Sequence, residues 1–442
     1  MEKTFRPYNP KQNFLFPRSL DEYVKDDDLS VFIRDLVMEQ LDLSEIYDGY
    51  AESQGNPPYN PTMMTALLLY AYSQGIYSSR RIQRACEQRV DFMVVTAHEH
   101  PDHRTIGKFR KRHEVALSGL FGQVLELCAA AGLVKLGHVA LDGTKVRANA
   151  SKHKAMSYGR MPVEEQRLKA SIKDWFAKAE EADREEDRRY GEGKSGDELP
   201  SWVTDKQERV KRIRQAKEAL EKQAKEQSEV KPKDSDDDDE PHLPPKSQRR
   251  KKKGKKDLPH EKDQYNFTDP ESSIMKTRGT FEQCYNAQAA VDGASQVIVA
   301  QTVTNASNDL EQLTPLIENI EKTFGELPTE ASADAGYFTD ENLRFLEQKK
   351  INAYIAPGKE GRTSQARPPT GSLKAQMITK IRIAGHRSRY RLRKQIVEPV
   401  FGQVKQARGF RQFLRRGLEQ VKHEWNLVCT ANNLLKLAAA QL

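Results

Sequence analysis

Residues 138–154 read HVALDGTKVRANASKHK. An apolar run, Val139-Ala140-Leu141, stops at Asp142, and Gly143 follows at once, the pattern of a short buried strand closed by a turn. Thr144, Lys145, Arg147, Asn149 and Lys152 come next, a cationic and small-polar tail. A carboxylate at the end of a buried strand is costly unless it is paired with a cation or holds a metal. Two readings therefore stand side by side: an Asp that caps a turn and pairs with Lys145 or Arg147, or one member of a site whose other acids lie elsewhere.

Downstream, strands and helices alternate. FEQCYNAQAAVD (281–292) and SQVIVAQTVTN (295–305) read as two strands of a hairpin around Gly293-Ala294. DLEQLTPLIENIEKTFG (309–325) reads as a helix, and Asn308-Asp309-Leu310-Glu311 has the spacing of a capping box at its start. TEASADAGY (329–337) is a short strand ending in small residues, TDENLRFLEQKK (339–350) a helix, and INAYIAP (351–357) another strand. From about residue 376 the chain reads as helical and basic. With VALD as the first strand, the order is β, long insertion, β, β, α, β, α, β, α, which predicts an α/β mixed sheet covered by helices.

Upstream, residues 1 to about 135 read as helical. LSVFIRDLVMEQL (29–41) and PTMMTALLLYAYSQG (61–75) place apolar residues at three- and four-residue steps. Ser78-Ser79 is placed to cap RRIQRACEQRVDFMVV, and Pro101-Asp102 precedes HRTIGKFRKRH, which carries Arg104 and Lys108. Two short basic helices joined by turns predict a helix-turn-helix-like surface for duplex DNA, with a solvated basic helix pair as the plainer reading. Between residues 153 and 265, EEQRLKASIKDWFAKAEEADREEDRRY and DKQERVKRIRQAKEALEKQAKEQ predict a charged helical hairpin with sparse apolar positions such as Leu168, Ile172, Trp175 and Phe176. GEGKSGDELP joins its arms; DSDDDDE (234–240) and KSQRRKKKGKK (246–256) then form blocks of like charge, a composition of disordered segments.

The 442 residues suffice for two or three domains. With 72 Lys and Arg against 64 Asp and Glu, the formal charge is +8, and its distribution matters more than its size. Between Gln376 and Lys422, 13 Lys or Arg stand against only Glu398 and Glu419, which suggests a polyanion partner such as nucleic acid. Cys86, Cys128, Cys284 and Cys429 lie far apart with no metal or disulfide spacing, and read as core thiols of a reducing compartment. No apolar run approaches the ~18 residues of a membrane span, and the N-terminus MEKTFRPYNPKQNF has no apolar signal core, so a cytoplasmic location is expected.

A basic cleft with strand-end acids suits metal-assisted phosphoryl transfer, for which hard divalent cations need only two or three carboxylates. Asp334, in SADAGYF, sits where a strand ends in small residues, as Asp142 does before Gly143. Asp292 ends a strand too, but the following Gly-Ala makes it a hairpin acid. Asp269 and Glu271, in NFTDPESS, read as turn formers or outer groups of a site. The third acid is Glu398, in YRLRKQIVEPVFGQVKQARGF, the sole acid between Glu360 and Glu419. Lys394 and Lys405 share its helical face, so it is either an ion-pair partner or a site residue. Pro399 directly follows, so a helix either starts here or is kinked here.

These residues together resemble a family: the DDE transposases of bacterial insertion sequences, whose catalytic domain is ribonuclease H-like. The resemblance rests on LDGTKVRANAS, on NFTDPESSIMKTRGTFEQCYNAQAAVD, on ADAGYF, and on VEPVFGQVKQARGF with RRGLEQV and NLL near the end. It implies a mixed five-stranded sheet with flanking helices over residues 136–152 and 266–430, an all-α N-terminal DNA-end-binding domain over 1–135, a charged insertion over 153–265, and the tail of the last helix over 431–442. It implies Asp142, Asp334 and Glu398 as the catalytic, metal-binding triad, with Mg²⁺ as cofactor and Mn²⁺ able to substitute. Many relatives carry a Tyr, two residues, an Arg, three residues, the Glu, six residues and a Lys; here Lys405 fits the last place. Lys394 stands where the Arg would be and Arg391 where the Tyr would be, with Tyr390 one residue early. Lys405, Lys394, Arg391, Lys145, Arg147, Asn149, Arg104 and Lys108 are the expected DNA contacts. The implied reaction is cleavage at the ends of a mobile element and transfer of the 3′-OH into target DNA by a homodimer or larger multimer on double-stranded terminal inverted repeats. A ribonuclease H-like nuclease that cuts without joining, and an inactive DNA-binding relic, are the alternatives.

Overall fold

The computed structural model describes residues 19–50, 57–190, 201–229, 258–261, 263–277, 279–357, 371–385 and 388–442. The GEGKSGDELP linker, the DSDDDDE and KSQRRKKKGKK runs, and the side chains of Trp175 and Phe176 lie outside the described residues. The chain divides into two compact units, one made of the described residues up to Arg147 together with Tyr285–Leu442, the other of Ala148–Cys284.

The strands are β1 His138–Arg147, β2 Ala155–Ser157, β3 Gln264–Asn266, β4 Ser273–Thr277, β5 Thr280–Asp292, β6 Ile298–Thr304, β7 Glu330–Ala333 and β8 Asn352–Ile355. Five strands of a six-stranded sheet, one strand more than the five expected, lie in the first unit in the order β6-β5-β1-β7-β8. β5 and β6 run antiparallel, whereas β1, β7 and β8 run parallel, with His138 opposite Glu330 and Ala140 opposite Ser332. β5 is buried along nearly its whole length, and its small residues Ala287, Ala289 and Ala290 let helices approach closely. This is the mixed sheet expected from the sequence. The hairpin turn at Gly293-Ala294 is held by the fully buried Asp292, whose carboxylate accepts from the backbone N–H of Ala294 at 2.8 Å and of Leu136 at 2.8 Å.

Among the described residues, seven α-helices precede the sheet, including Leu29–Glu39, Pro61–Ser73 and Glu114–Ala130. Asn60 caps Pro61–Ser73 through the N–H of Thr62, and Pro61 takes the first helical position, where no backbone donor is required. That helix is buried nearly all round, which its unbroken run of Met, Ala, Leu and Tyr predicts. It packs against the long C-terminal helix Leu418–Gln441, as does Glu114–Ala130, where Ser118 Oγ lies 2.6 Å from His423 Nδ1. The same C-terminal helix covers the edge strand β6: the Asn433 amide donates to the Ile298 carbonyl and accepts from the Ile298 N–H, both at 2.9 Å. Helices of the N-terminal region and the C-terminal helix thus share one core with the sheet.

Local expectations are revised at four places. The strand that bears Asp142 does not close at Asp142-Gly143 but runs through both to Arg147. RRIQRACEQRVDFMVV is two helices, Ser79–Gln88 and Val90–Thr96, broken at the extended Arg89, so the two basic helices Ser79–Gln88 and His103–Arg112 are separated by a third rather than by a turn. The capping box at Asn308–Glu311 does not form: the helix is Leu313–Phe324, with Gln312 before it, and Asp309 is left for other work. Pro399 neither starts nor ends a helix but lies inside Arg393–Gly402. The Gln395 carbonyl that Pro399 leaves without a helical donor accepts from Gln296 Nε2 at 2.9 Å, which offsets the missing bond.

In the second unit, the helices Met161–Tyr190 and Ser201–Glu229 pack together as the expected hairpin around Met161, Leu168, Val210, Ile213, Ala216 and Leu220. The small antiparallel pair β2-β3 adds Met156 and Tyr265 to that core, and β4 pairs with the first residues of β5.

Candidate active site

β1 carries Asp142, and its parallel register with β7 brings Asp334 alongside. Asp334 is the residue before the short 3-10 turn Ala335–Tyr337, and its Oδ1 accepts from the Gly336 N–H at 2.8 Å. Asp142 Oδ1 likewise accepts from the next residue's N–H, Gly143, at 2.9 Å. The helix Arg393–Gly402 packs on β1 and supplies two side chains. Arg393 Nη1 donates to Asp142 Oδ2 at 2.7 Å while its Nη2 donates to Glu398 Oε1 at 3.1 Å. Acids from opposite ends of the sequence therefore meet on one guanidinium, which is itself 13 % exposed and lies over the Tyr390 ring. Asp142 pairs with Arg393, not with Lys145 or Arg147.

The electrostatics are those of a carboxylate cluster. Burial is the largest cause that pushes Asp142 up from 3.8 to about 7; Arg393 opposes it, and the charges of Asp334 and Asp309 add to it. Asp334 is raised for the same reasons, with burial first, the Gly336 N–H opposing and Asp309 reinforcing. The phenol of Tyr337, fully buried beneath these acids, is driven well above its ordinary range by burial and then by Asp309, Asp142 and Asp334.

Asp309, which sequence reasoning placed in a helix cap, belongs to this cluster. Its Oδ1 accepts from Asn286 Nδ2 at 2.7 Å and from Gln288 Nε2 at 2.6 Å, both on β5. Gln288 also accepts from the Tyr337 hydroxyl, and its backbone carbonyl accepts from Trp425 Nε1 at 3.1 Å, which ties the site to the C-terminal helix. Arg393 was missed by one residue, since the family spacing points to Lys394. Their polar runs of sequence, SNDLEQ and YRLRKQ, carry no signal that separates Asp309 or Arg393 from neighbours.

The other expected residues are spread more widely. Lys405, in the π-helical turn Gln403–Ala407, donates to Thr144 Oγ1 and to the Lys145 carbonyl, both at 2.6 Å, so it lies along β1 beyond Asp142. Lys394 and Arg391 are exposed on and just before the helix that bears Glu398. Lys145 is half-buried on β1; Arg147 is exposed at its end, where its backbone pairs with Arg411 and Phe413. Arg104 and Lys108 are exposed on the helix His103–Arg112 of the same unit. Asn149, Asp269 and Glu271 belong to the second unit.

As they stand, no three His, Cys, Asp or Glu side chains among the described residues are grouped tightly enough to ligate one ion. The donor chemistry still fits a hard divalent cation: the acids offer oxygen only, they repel one another, and they draw a cation, Arg393, between them. Gly336 lets two of these acids approach it closely: a Cβ there would stand 2.9 Å from Asp309 Oδ2 and 2.9 Å from Asp334 Oδ1.

A mixed sheet with Asp142 on β1, Asp334 directly after β7 and Glu398 on a following helix is that of a ribonuclease H-like DDE domain. Two family models match the chain, the Transposase DDE domain over residues 255–434 and the Transposase domain (DUF772) over residues 18–112. The chain belongs to the DDE transposases of insertion sequences. The first match includes Asp309, Asp334, Glu398 and Lys405, and the second covers the basic helices of the N-terminal region. No curated protein and no solved structure matches the chain.

Proposed function

We propose that this transposase cuts DNA at the ends of its own element and joins the resulting 3′-OH to target DNA, with Asp142, Asp334 and Glu398 as the residues that hold Mg²⁺. When bound, divalent cations would offset the negative charge that develops on the transferred phosphoryl group and favour ionisation of the attacking hydroxyl. The chain's own groups do the rest. Asp142 lies within β1 and Asp334 directly after β7, so their oxygens are positioned before substrate arrives. Arg393 neutralises Asp142 and Glu398 and brings a guanidinium to the place where a phosphate must approach. Lys405 holds the β1 backbone beyond Asp142, and with Lys394 and Arg391 it extends the positive face along which a DNA strand would run. We assign end binding to the N-terminal helices, through Arg104 and Lys108, and expect the protein to act as a dimer or larger multimer on paired ends.

The observation that carries the reading is the meeting of Asp142 and Glu398 on Arg393, with Asp334 beside them. The test uses purified full-length protein, duplex DNA bearing an element end, and Mg²⁺ or Mn²⁺. Wild type should nick the end and, given pre-cut ends, join them to a plasmid. Asp142→Asn and Glu398→Gln should each lower cleavage by about 10³-fold or more, of the order found when a catalytic group is removed. An Asp142→Asn protein that cleaves like wild type refutes the site. Cleavage without joining would instead identify a nuclease.

A further inference from the structure

We propose that Asp309 is a fourth carboxylate of the active site, one that helps hold the divalent cation beside Asp334; this rests on the reading above and deepens it. The triad assigns no role to Asp309, and its place in the sequence, at the loop after β6, suggests only a cap. Three features of the fold argue otherwise.

The first is where its two oxygens go. Oδ1 takes both amide donors from β5, Asn286 at 2.7 Å and Gln288 at 2.6 Å, which fixes the side chain's orientation. Oδ2 turns to the Asp334 loop, 2.9 Å from the point where a Gly336 Cβ would stand, and Asp334 Oδ1 lies 2.9 Å from that same point. Two carboxylate oxygens from different loops thus converge on Gly336, so closely that a side chain there would displace one of them.

The second is the pair of glycines. A Cβ on Gly143, directly after Asp142, would come within 2.6 Å of Asp309 Oδ1 and 2.3 Å of Gln288 Nε2. Neither Gly143 nor Gly336 has a positive φ, so what each supplies is space rather than a special backbone conformation. Both acid motifs, DG and DAG, keep a glycine where the Asp309 carboxylate passes. A side chain that served only to end a loop would not require room both within β1 and in the turn after β7.

The third is the support behind it. Gln288, which donates to Asp309, is fully buried and accepts from the equally buried Tyr337, the residue that closes the DAGY motif. Amide and phenol together lock the Gln288 side chain so that its NH₂ faces Asp309, the arrangement of an outer shell that orients an ion-holding carboxylate.

The discriminating variant is Asp309→Asn, which removes the charge but keeps the size. In a purely structural role the asparagine carbonyl would accept the same two amide hydrogens and little would change. Mn²⁺ binding to the full-length protein is measured by electron paramagnetic resonance and calorimetry, with thermal unfolding as the control for folding. Expected is a loss of Mn²⁺ affinity of about 10-fold or more with the melting transition intact. Unchanged Mn²⁺ affinity overturns the proposal. If Asp309→Asn fails to fold, Asn286→Ala, which removes an amide that orients Asp309 without touching Asp334, takes its place: weakened Mn²⁺ binding supports the proposal, and wild-type binding overturns it. Asp142→Asn is run in parallel. If it loses cleavage and Mn²⁺ affinity while Asp309→Asn keeps both, only the fourth carboxylate fails; if Asp142→Asn keeps both, the active-site reading fails with it.

Discussion

Asp142→Asn should make the metal-free protein more stable at pH 8, because the wild-type site is held together against its own charge. In the folded chain Asp142 titrates at about 7, against the ordinary carboxylate value of 3.8. An acid that keeps its proton longer in the folded than in the unfolded chain favours folding at low pH. That contribution is complete below about pH 4 and is lost as pH rises through about 7. A shift of about three units corresponds to about 4 kcal/mol at most, and solvent penetration and side-chain relaxation in a polar site reduce this to about 1–2 kcal/mol. Asparagine keeps the shape and removes the ionisation, so the variant should gain that amount at pH 8, less at pH 6, and nothing below pH 4. Urea unfolding midpoints of wild type and variant, taken in chelator across pH 4–8, measure it directly. A difference that does not change with pH, or a variant less stable at pH 8, would refute the argument that burial and the neighbouring acids destabilise the Asp142 charge. Such a gain in stability alongside lost cleavage is the trade expected at a site strained for function.

Other outcomes follow from the same geometry. Arg393→Gln combined with Asp142→Asn in a double-mutant cycle should give a coupling of about 1–3 kcal/mol at pH 8; at pH 5, where Asp142 is protonated, the coupling should nearly vanish. Glu424 is fully buried on the C-terminal helix and accepts from the N–H groups of Leu414 and Arg415 near the charges of Arg110 and Arg415. Glu424→Ala removes the buried carboxylate that these backbone donors share and that the two guanidiniums face, and denaturant unfolding should register a loss of about 3 kcal/mol. Gly143→Ala should cripple DNA cleavage while far-ultraviolet circular dichroism stays native, since its Cβ would displace Gln288 and Asp309. If Lys405 meets a phosphate, Lys405→Met should reduce the slope of log affinity against log salt by about one, measured by fluorescence anisotropy on an element end.

Much of the architecture was legible because burial leaves a pattern in sequence. VALD, QAAVD, VIVAQ and EASA are apolar or small runs that only a sheet covered on its faces can hide, and their order along the chain gave the mixed topology. The helices at Leu29–Glu39 and Pro61–Ser73 were equally plain from spacing and caps. Local reading faltered where tertiary contacts replace local ones. Asn308–Glu311 has the letters of a capping box, but Asp309 gains more from the amides of Asn286 and Gln288 than from a helix end. Pro399 looks like a boundary, but Gln296, from the β5–β6 hairpin, satisfies the carbonyl it strands, and the helix runs on.

The sequence by itself determined an acid on the first strand and another just after a short strand of small residues, the lone Glu in a basic run, and the motif order that marks the family. Those features are local: each depends on a residue and its immediate neighbours. Only the tertiary structure decided which charges meet. Arg393 rather than Lys394 reaches Asp142 and Glu398, because helix phase and the seat of Arg393–Gly402 on β1 fix which cation points inward. Asp309 joins Asp142 and Asp334 because β5 presents two amides to it and two glycines make room. Electrostatic energy depends on distance in space and on burial, and neither can be read from separation along the chain.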